Sequence, residues 1–224
     1  LFPYTTLFRS NTKNQSRYGE LNQTYVHGIT RTIDRALKQY PRLLAIRFDL
    51  RFPDEEERPD CPTQCYTASE VITRFINSVK AQIKADIKRK RKSGKKTLTC
   101  DMRFVWVREF NQEGSKKHYH VLLLLNKDAY AWPGKIKKDP DNAFNQSVFN
   151  MVVRAWIRAI KREYAESKYV GLIHIPPSGF YQLNRNNRYF EDTYEDLTSR
   201  AIYLAKEYSK DNSDGQRNFG CSVR

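Results

Sequence analysis

The sequence predicts an α+β fold: a ferredoxin-like, split βαβ antiparallel sheet with helices packed on one face and a further helix at the C-terminus. Three observations carry that expectation. "LLAIRFDLRF" (43–52) alternates with period two. "RFVWVREF" (103–110) and "HYHVLLLLN" (118–126) are apolar runs separated by a short polar loop, which reads as a hairpin. Stretches of helical period separate the first strand from the hairpin and the hairpin from a later apolar run. The order is therefore β-α-β-β-α-β, in which the first and third strands are central neighbours.

The elements follow in turn. Residues 1–10, "LFPYTTLFRS", resemble a translated sequencing-adapter fragment and are left out of the fold reading; 11–24 are polar and read as a flexible segment; 25–220 form one domain. A first helix covers 25–39 and stops before Pro41. In strand 43–52, Ile46, Phe48, Leu50 and Phe52 share one face, and Arg47, Asp49 and Arg51 the other. An acidic, proline-broken loop (53–62) follows. A long helix from Thr67 to about Arg91 carries the stripe Ile72, Ile76, Val79, Ile83 and Ile87. After the hairpin, a helix over 144–166 sets Phe149, Val152, Trp156 and Ile160 in register, "YVGLIHIPP" (169–177) is a fourth strand, "GFYQL" adds a fifth, and a last helix covers 192–209.

The chain has 224 residues and a net charge of +15, from 40 Lys and Arg against 25 Asp and Glu. Such a balance favours a polyanionic partner, nucleic acid before an acidic membrane surface. No apolar run is long enough for a membrane span and no secretory signal is evident, so a cytoplasmic protein is expected. Of the cysteines Cys61, Cys65, Cys100 and Cys221, only the first two are close, and no second pair completes a zinc site; free thiols are expected. The densest positive stretch is "KRKRKSGKK" at 88–96. Lys88, Arg89, Lys90, Arg91, Lys92, Lys95 and Lys96 are candidate phosphate contacts; the alternative is a solvated face or loop.

His118 and His120 stand two apart on a strand, so both imidazoles project from one face. Two such rings chelate one ion or simply hydrogen-bond their neighbours. A divalent ion for phosphate chemistry also takes a hard oxygen ligand. Glu109, at the end of the preceding strand, is the first candidate and Asp49 the second; their alternatives are a solvated strand end and an ion pair with Arg47 or Arg51. On the last helix, Leu197, Ala201, Leu204 and Tyr208 form an apolar stripe. Tyr208 therefore reads as core. Tyr203 falls on a polar face with Ser199, Lys206 and Lys210, where Lys206 at i+3 can lower its pKa or hold a phosphate beside it.

Taken together, "HYH", "YLAK" and the strand "AIRFDLRF" resemble the HUH superfamily of rolling-circle replication initiators and single-strand nickases. More closely, "RFDLRFP", "VWVREF", "HYHVLLLLNKDAYAWPG", "GLIHIPP", "YLAKEYSK" and "RNFG" resemble the inovirus replication proteins with the YagK/YfjJ C-terminal domain, found in filamentous phages and prophages. The resemblance implies an HUH-endonuclease-like fold and metal-dependent nicking and rejoining of single-stranded origin DNA through a 5′-phosphotyrosine. Tyr203 would be the nucleophile, Lys206 its cationic partner, and His118, His120 and Glu109 the ligands of Mn²⁺ or Mg²⁺. A separate helicase and host replication proteins would complete replication. Where superfamily members carry two tyrosines four apart, this chain has Tyr203 and Tyr208 five apart, which favours a single nucleophile. The alternative from another class is a non-catalytic DNA- or RNA-binding module on the same scaffold, with Phe104, Trp106 and Tyr119 as base-stacking candidates. A hydrolase of small phosphoesters is disfavoured by the charge.

Overall fold

A computed structural model describes residues 19–53, 70–111, 116–135, 147–161 and 169–222. Helix α1 (Gln23–Gln39) precedes strand β1 (Arg42–Arg51), and α2 (Glu70–Lys92) leads into the hairpin of β2 (Arg103–Phe110) and β3 (Lys117–Asn126). Helix α3 (Val148–Ala159) leads to β4 (Ile173–His174) and β5 (Phe180–Asn184), and α4 (Phe190–Ile202) precedes β6 (Phe219–Cys221). The sheet order is β4-β1-β3-β2-β6, with β5 also paired to β1, and every pairing is antiparallel. The chain is thus α+β with an antiparallel sheet, as expected, and β1 and β3 are neighbours.

The expectation of helices on one face is corrected. On β1 and β3 both parities are apolar. Leu43, Ala45, Leu122 and Leu124 bury as completely as Leu44, Ile46, Leu123 and Leu125. A sheet covered on one side would leave half of these in water, at about 25 cal/mol per Å² of apolar surface. Instead α2 and α3 cover one face, with Phe75, Val79, Val152 and Trp156 in one core with Ile46, Phe48 and Val121. Helices α1 and α4 cover the other, with Ile29, Ile33, Leu197 and Ala201 packed with Leu43, Ala45 and Leu122. The fully buried Trp156 donates its Nε1–H to the Arg51 carbonyl at 2.8 Å, which ties α3 to the end of β1.

Several elements are shorter than the sequence suggests. Between 169 and 177, a 3₁₀ turn at Val170–Leu172 is followed by only the two residues of β4. The predicted helix over 144–166 is observed as Val148–Ala159, begun by the Ser147 cap; 144–146 and 162–166 lie outside the described residues, as do 67–69 of the long helix and Cys61 and Cys65. The last helix stops at Ile202 and tightens into a 3₁₀ turn over Tyr203–Ala205. There, residues 20–22 take over its backbone: Asn22 N–H donates to the Ala205 carbonyl at 2.8 Å, Glu207 N–H to that of Glu20 at 3.0 Å, and Leu21 bridges Lys206. Residues 20–24 fall in the segment expected to be flexible. Leu21 is nonetheless buried, and Asn22 caps α1 by accepting from Tyr25 N–H at 3.1 Å. Opposite, β6 crosses Trp106 so closely that a Cβ on Gly220 would meet the indole at 2.5 Å.

Candidate metal centre and active site

The hairpin register sets Glu109 opposite His118, and the β1–β3 register sets Asp49 opposite His120. All four side chains lie on the face covered by α1 and α4, at the end of the sheet that β3 enters. Glu109, His118 and His120 each offer a ligand atom within 4.8 Å of the other two. The Nε2 atoms of the two histidines face each other at 3.2 Å, and Glu109 Oε2 lies 3.3 Å from His120 Nε2. The other ring nitrogen of His120, Nδ1, donates to Asp49 Oδ1 at 2.5 Å. That bond fixes the tautomer in which Nε2 carries a lone pair. With that ring neutral, the Nε2 lone pair stands beside the His118 ring nitrogen and a Glu109 oxygen, an arrangement that suits a bound cation. Asp49 stands behind His120 rather than among the converging atoms. Of the two candidate third ligands, the geometry favours Glu109, and Asp49 orients a ligand.

Burial pushes the His120 pKa down, but its hydrogen bonds to Asp49 and Glu109 outweigh this and raise it. His118 moves the other way, lowered by burial and by its neighbour His120. Burial also opposes ionisation of Glu109, yet hydrogen bonding to His120 and the Lys210 ammonium carry its pKa well below the usual carboxylate range. A divalent cation held by these residues would compete with a proton for His120 Nε2.

The turn after α4 supplies the second half of the cluster. Lys206 Nζ donates to Tyr203 Oη at 2.9 Å and lies 3.2 Å from Glu109 Oε2. One ammonium thus joins the phenol to the carboxylate of the triad. The Lys206 hydrogen bond lowers the Tyr203 pKa more than burial raises it. Burial pulls the Lys206 pKa down, but Tyr203 and Glu109 outweigh it and keep the ammonium charged. Lys210 Nζ holds Glu109 Oε1 at 2.8 Å, with 1% of its side chain exposed. With neutral histidines, Asp49 and Glu109 balance Lys206 and Lys210. A divalent ion bound there would leave two positive charges for anions to balance.

Two members escaped sequence reasoning as site residues. His174 Nδ1 approaches Asp49 Oδ2 at 3.2 Å, because β4 pairs His174 directly with Asp49; the signal was a histidine in an apolar strand beside β1. Lys210 was noted only as a neighbour of Tyr203. Its contact with Glu109 depends on the chain crossing to the end of β2, where Phe110 N–H donates to the Ser209 carbonyl at 3.3 Å. The segment beyond is clasped by the buried Arg108, whose Nε donates to Asn218 Oδ1 at 2.8 Å and whose Nη2 meets Asp214 Oδ1 at 2.8 Å.

Other residues take places different from those expected. Tyr208 is 73% exposed, not core. The helical wheel that placed it there does not apply beyond Ile202; its ring lies 5.0 Å from Lys206 Nζ and its side chain hydrogen-bonds that of Tyr203, which also lowers the Tyr203 pKa. The run Lys88–Lys92 with Lys95 and Lys96 is at the C-terminal end of α2, on the opposite face and near Asn126, about 20 Å along β3 from His120. Within it, Arg89 and Lys90 are ion-paired to the buried Asp86, while Lys88, Arg91, Lys92, Lys95 and Lys96 are exposed. Of the stacking candidates, Trp106 and Tyr119 are buried beneath the α2/α3 face and Phe104 is half-buried beside Lys80. Cys100 is buried and free, its thiol pushed up to about 12 by burial, and Cys221 is also free.

The chain is 35% identical over 212 residues to the uncharacterized protein YagK of Escherichia coli, covering 93% of this chain and 96% of that protein. It is 36% identical over 211 residues to the uncharacterized protein YfjJ of the same organism, covering 92% and 97%. No solved structure matches it. The profile of the YagK/YfjJ C-terminal domain matches residues 5–222, and the protein belongs to that family.

Proposed function

We propose that this protein is a metal-dependent single-strand DNA nickase and religase of the HUH type, acting as a phage or prophage rolling-circle replication initiator. The observation that carries the reading is the single ammonium of Lys206, hydrogen-bonded to Tyr203 Oη and ion-paired with Glu109, beside converging imidazoles. The order β4-β1-β3-β2, with α2 and α3 as crossovers on one face, supports a ferredoxin-like scaffold. The covered positions of Trp106 and Tyr119 weigh against an open, base-stacking sheet.

His118, His120 and Glu109 would hold Mn²⁺ or Mg²⁺, the histidines favouring Mn²⁺. Held there, such an ion would supply Lewis-acid polarisation of a phosphoryl oxygen. Lys206, charged and one hydrogen bond from the phenol, favours the phenolate of Tyr203. Tyr203 Oη attacks phosphorus; the bond from phosphorus to the 3′-oxygen breaks, and that oxygen takes up a proton. The products are a 5′-phosphotyrosine and a free 3′-hydroxyl, which primes synthesis. Attack by a 3′-hydroxyl on the phosphotyrosine reverses the step and rejoins the strand. The exposed lysines and arginine at the end of α2 can follow the backbone farther from the reacting phosphate.

The test needs no known origin sequence. Randomised single-stranded oligonucleotides are incubated with the protein and Mn²⁺, and covalent adducts are recovered under denaturing conditions and sequenced. An enriched motif recovered only with metal is expected. A pool without adducts at any metal concentration contradicts the reading.

A further inference from the structure

At the end of the sheet that holds the metal ligands, the opposite face carries a cleft of about 250 Å³. Strand parity puts it there. Trp106 and Arg108 point away from the Glu109 side of β2, and Tyr119 away from the His118 and His120 side of β3. The rings of Trp106 and Tyr119 meet edge to face, with centroids 5.9 Å apart, and close the floor. Glu70 and Thr73 line the cleft from the start of α2, and Gln216 and Arg217 from the segment that follows Lys210. The buried Arg108 holds that segment in place. Its Nη2 donates to Asp214 Oδ1 at 2.8 Å and its Nη1 to Gln216 Oε1 at 3.0 Å. A guanidinium only donates, so the Gln216 amide turns its oxygen to Arg108. Its Nε2 keeps two N–H groups with no partner among the described residues. Glu70 and Arg217 are exposed, and among the described residues neither has a hydrogen bond or an ion pair. The rim of the cleft therefore offers a guanidinium and an amide N–H₂ as donors and a carboxylate as acceptor.

We infer that this cleft takes one base of the DNA strand, a guanine away from the scissile phosphate, and that Glu70, Gln216 and Arg217 read its edges. The inference rests on the proposed nickase reading. The volume of about 250 Å³ lies just under the roughly 300–1,000 Å³ of most small-molecule sites, so the cleft holds one heterocycle and leaves sugar and phosphate outside. Glu70 would repel a phosphate, which favours a neutral base over the backbone. The choice of base follows from the rim. A carboxylate pairs best with two adjacent N–H donors, and of the four DNA bases guanine alone offers them, at N1 and N2. Its O6 and N7 accept from a guanidinium or an amide N–H₂. Trp106 and Tyr119 are too well covered to stack a base on an open face. They supply an apolar floor, and the selectivity comes from the polar rim. Lys210 touches Glu109 at 2.8 Å, and Gln216 follows six residues later, so one segment of chain joins the metal ligands to the cleft.

The test compares wild type with Glu70→Ala, Arg217→Ala and the double variant Glu70→Ala/Arg217→Ala. Both positions are exposed, and each variant is checked for an unchanged fold by circular dichroism. A randomised single-stranded pool is incubated with each protein and Mn²⁺, and the bound oligonucleotides and the covalent adducts are sequenced separately. Wild type is expected to enrich guanine at one position of its motif, and the double variant to lose that preference while the rest of the motif persists. Inosine at that position, which lacks the 2-amino group, should weaken binding to wild type about tenfold and to Glu70→Ala much less. A guanine preference that the double variant keeps, or a wild-type motif without guanine, overturns the subsite; adducts formed by the same wild-type protein leave the nickase reading standing. A wild-type protein that neither binds DNA nor forms adducts overturns both. In a second arm, deoxyguanosine monophosphate at matched ionic strength is tested for thermal stabilisation. Stabilisation of wild type but not the double variant, with no guanine in the DNA motif, assigns the cleft to a free nucleotide and overturns the inference.

Discussion

Asp86 and Glu109 are both buried carboxylates, and each meets two cationic side chains, yet they do different work. Asp86 draws Arg89 and Lys90 from the next turn of its own helix and accepts from Tyr130 Oη at 2.9 Å. Its oxygens are used up, and the result pins the end of α2 to the loop after β3. Glu109 draws Lys206 and Lys210 from the far end of the chain and lies against the His120 ring nitrogen Nε2. Both carboxylates are neutralised as burial demands. Only Glu109 stands with two further ligand-capable atoms, the ring nitrogens of His118 and His120, within 4.8 Å. That convergence of ligand atoms, rather than buried charge as such, separates a candidate binding centre from a strut.

The largest effect expected from this contrast is on stability without metal. Glu109→Gln strips the counter-charge from two ammoniums whose side chains are 8% and 1% exposed, and should cost about 3–5 kcal/mol in urea unfolding. Asp86→Asn should cost less, about 1–3 kcal/mol, because the Arg89 side chain is half exposed and turns to water. A larger loss at Asp86 than at Glu109 would break the comparison. Calorimetry with Mn²⁺ sharpens it: Glu109→Gln and His120→Ala should lose at least about 100-fold in affinity, whereas Asp86→Asn should match wild type. A smaller effect concerns Tyr203. Because the Lys206 ammonium favours the phenolate, Tyr203 should ionise below the ordinary tyrosine range, and Lys206→Met should move it up. Ultraviolet titration, with Tyr203→Phe subtracted, reads this directly; an unmoved pKa would separate Lys206 from activation of the phenol. The smallest effect is at Tyr208. Its exposed ring should tolerate phenylalanine within about 0.5 kcal/mol, with DNA adducts still formed.

The centre was legible where it depends on strand parity. His118 and His120 share a face because they are two apart, and a short hairpin loop returns Glu109 to them. Lys206 was legible as the i+3 neighbour of Tyr203, a spacing that survives in a 3₁₀ turn. What failed was extrapolation along the last helix. Nothing local in "YLAKEYSK" marks its end, because Leu21 and Asn22, nearly two hundred residues away in sequence, capture its backbone. Tyr208 and Lys210 therefore took places that no helical wheel gives. The second layer of helices left a signal in the apolar residues of both parities at 121–125, but a split βαβ pattern taken alone expects one covered face. His174 became a neighbour of Asp49 only through the pairing of a two-residue strand.

In the proposed nickase, Tyr203 is the nucleophile of a metal-dependent strand transfer. The direct measurement is to trap the covalent adduct with single-stranded DNA and Mn²⁺, digest it, and locate the nucleotide-bearing peptide by mass spectrometry in wild type, Tyr203→Phe and Tyr208→Phe. The expected result is a nucleotide on Tyr203 in wild type and Tyr208→Phe, and no adduct in Tyr203→Phe although that variant still binds Mn²⁺ and DNA. An adduct that persists in Tyr203→Phe, or maps to Tyr208, would contradict it.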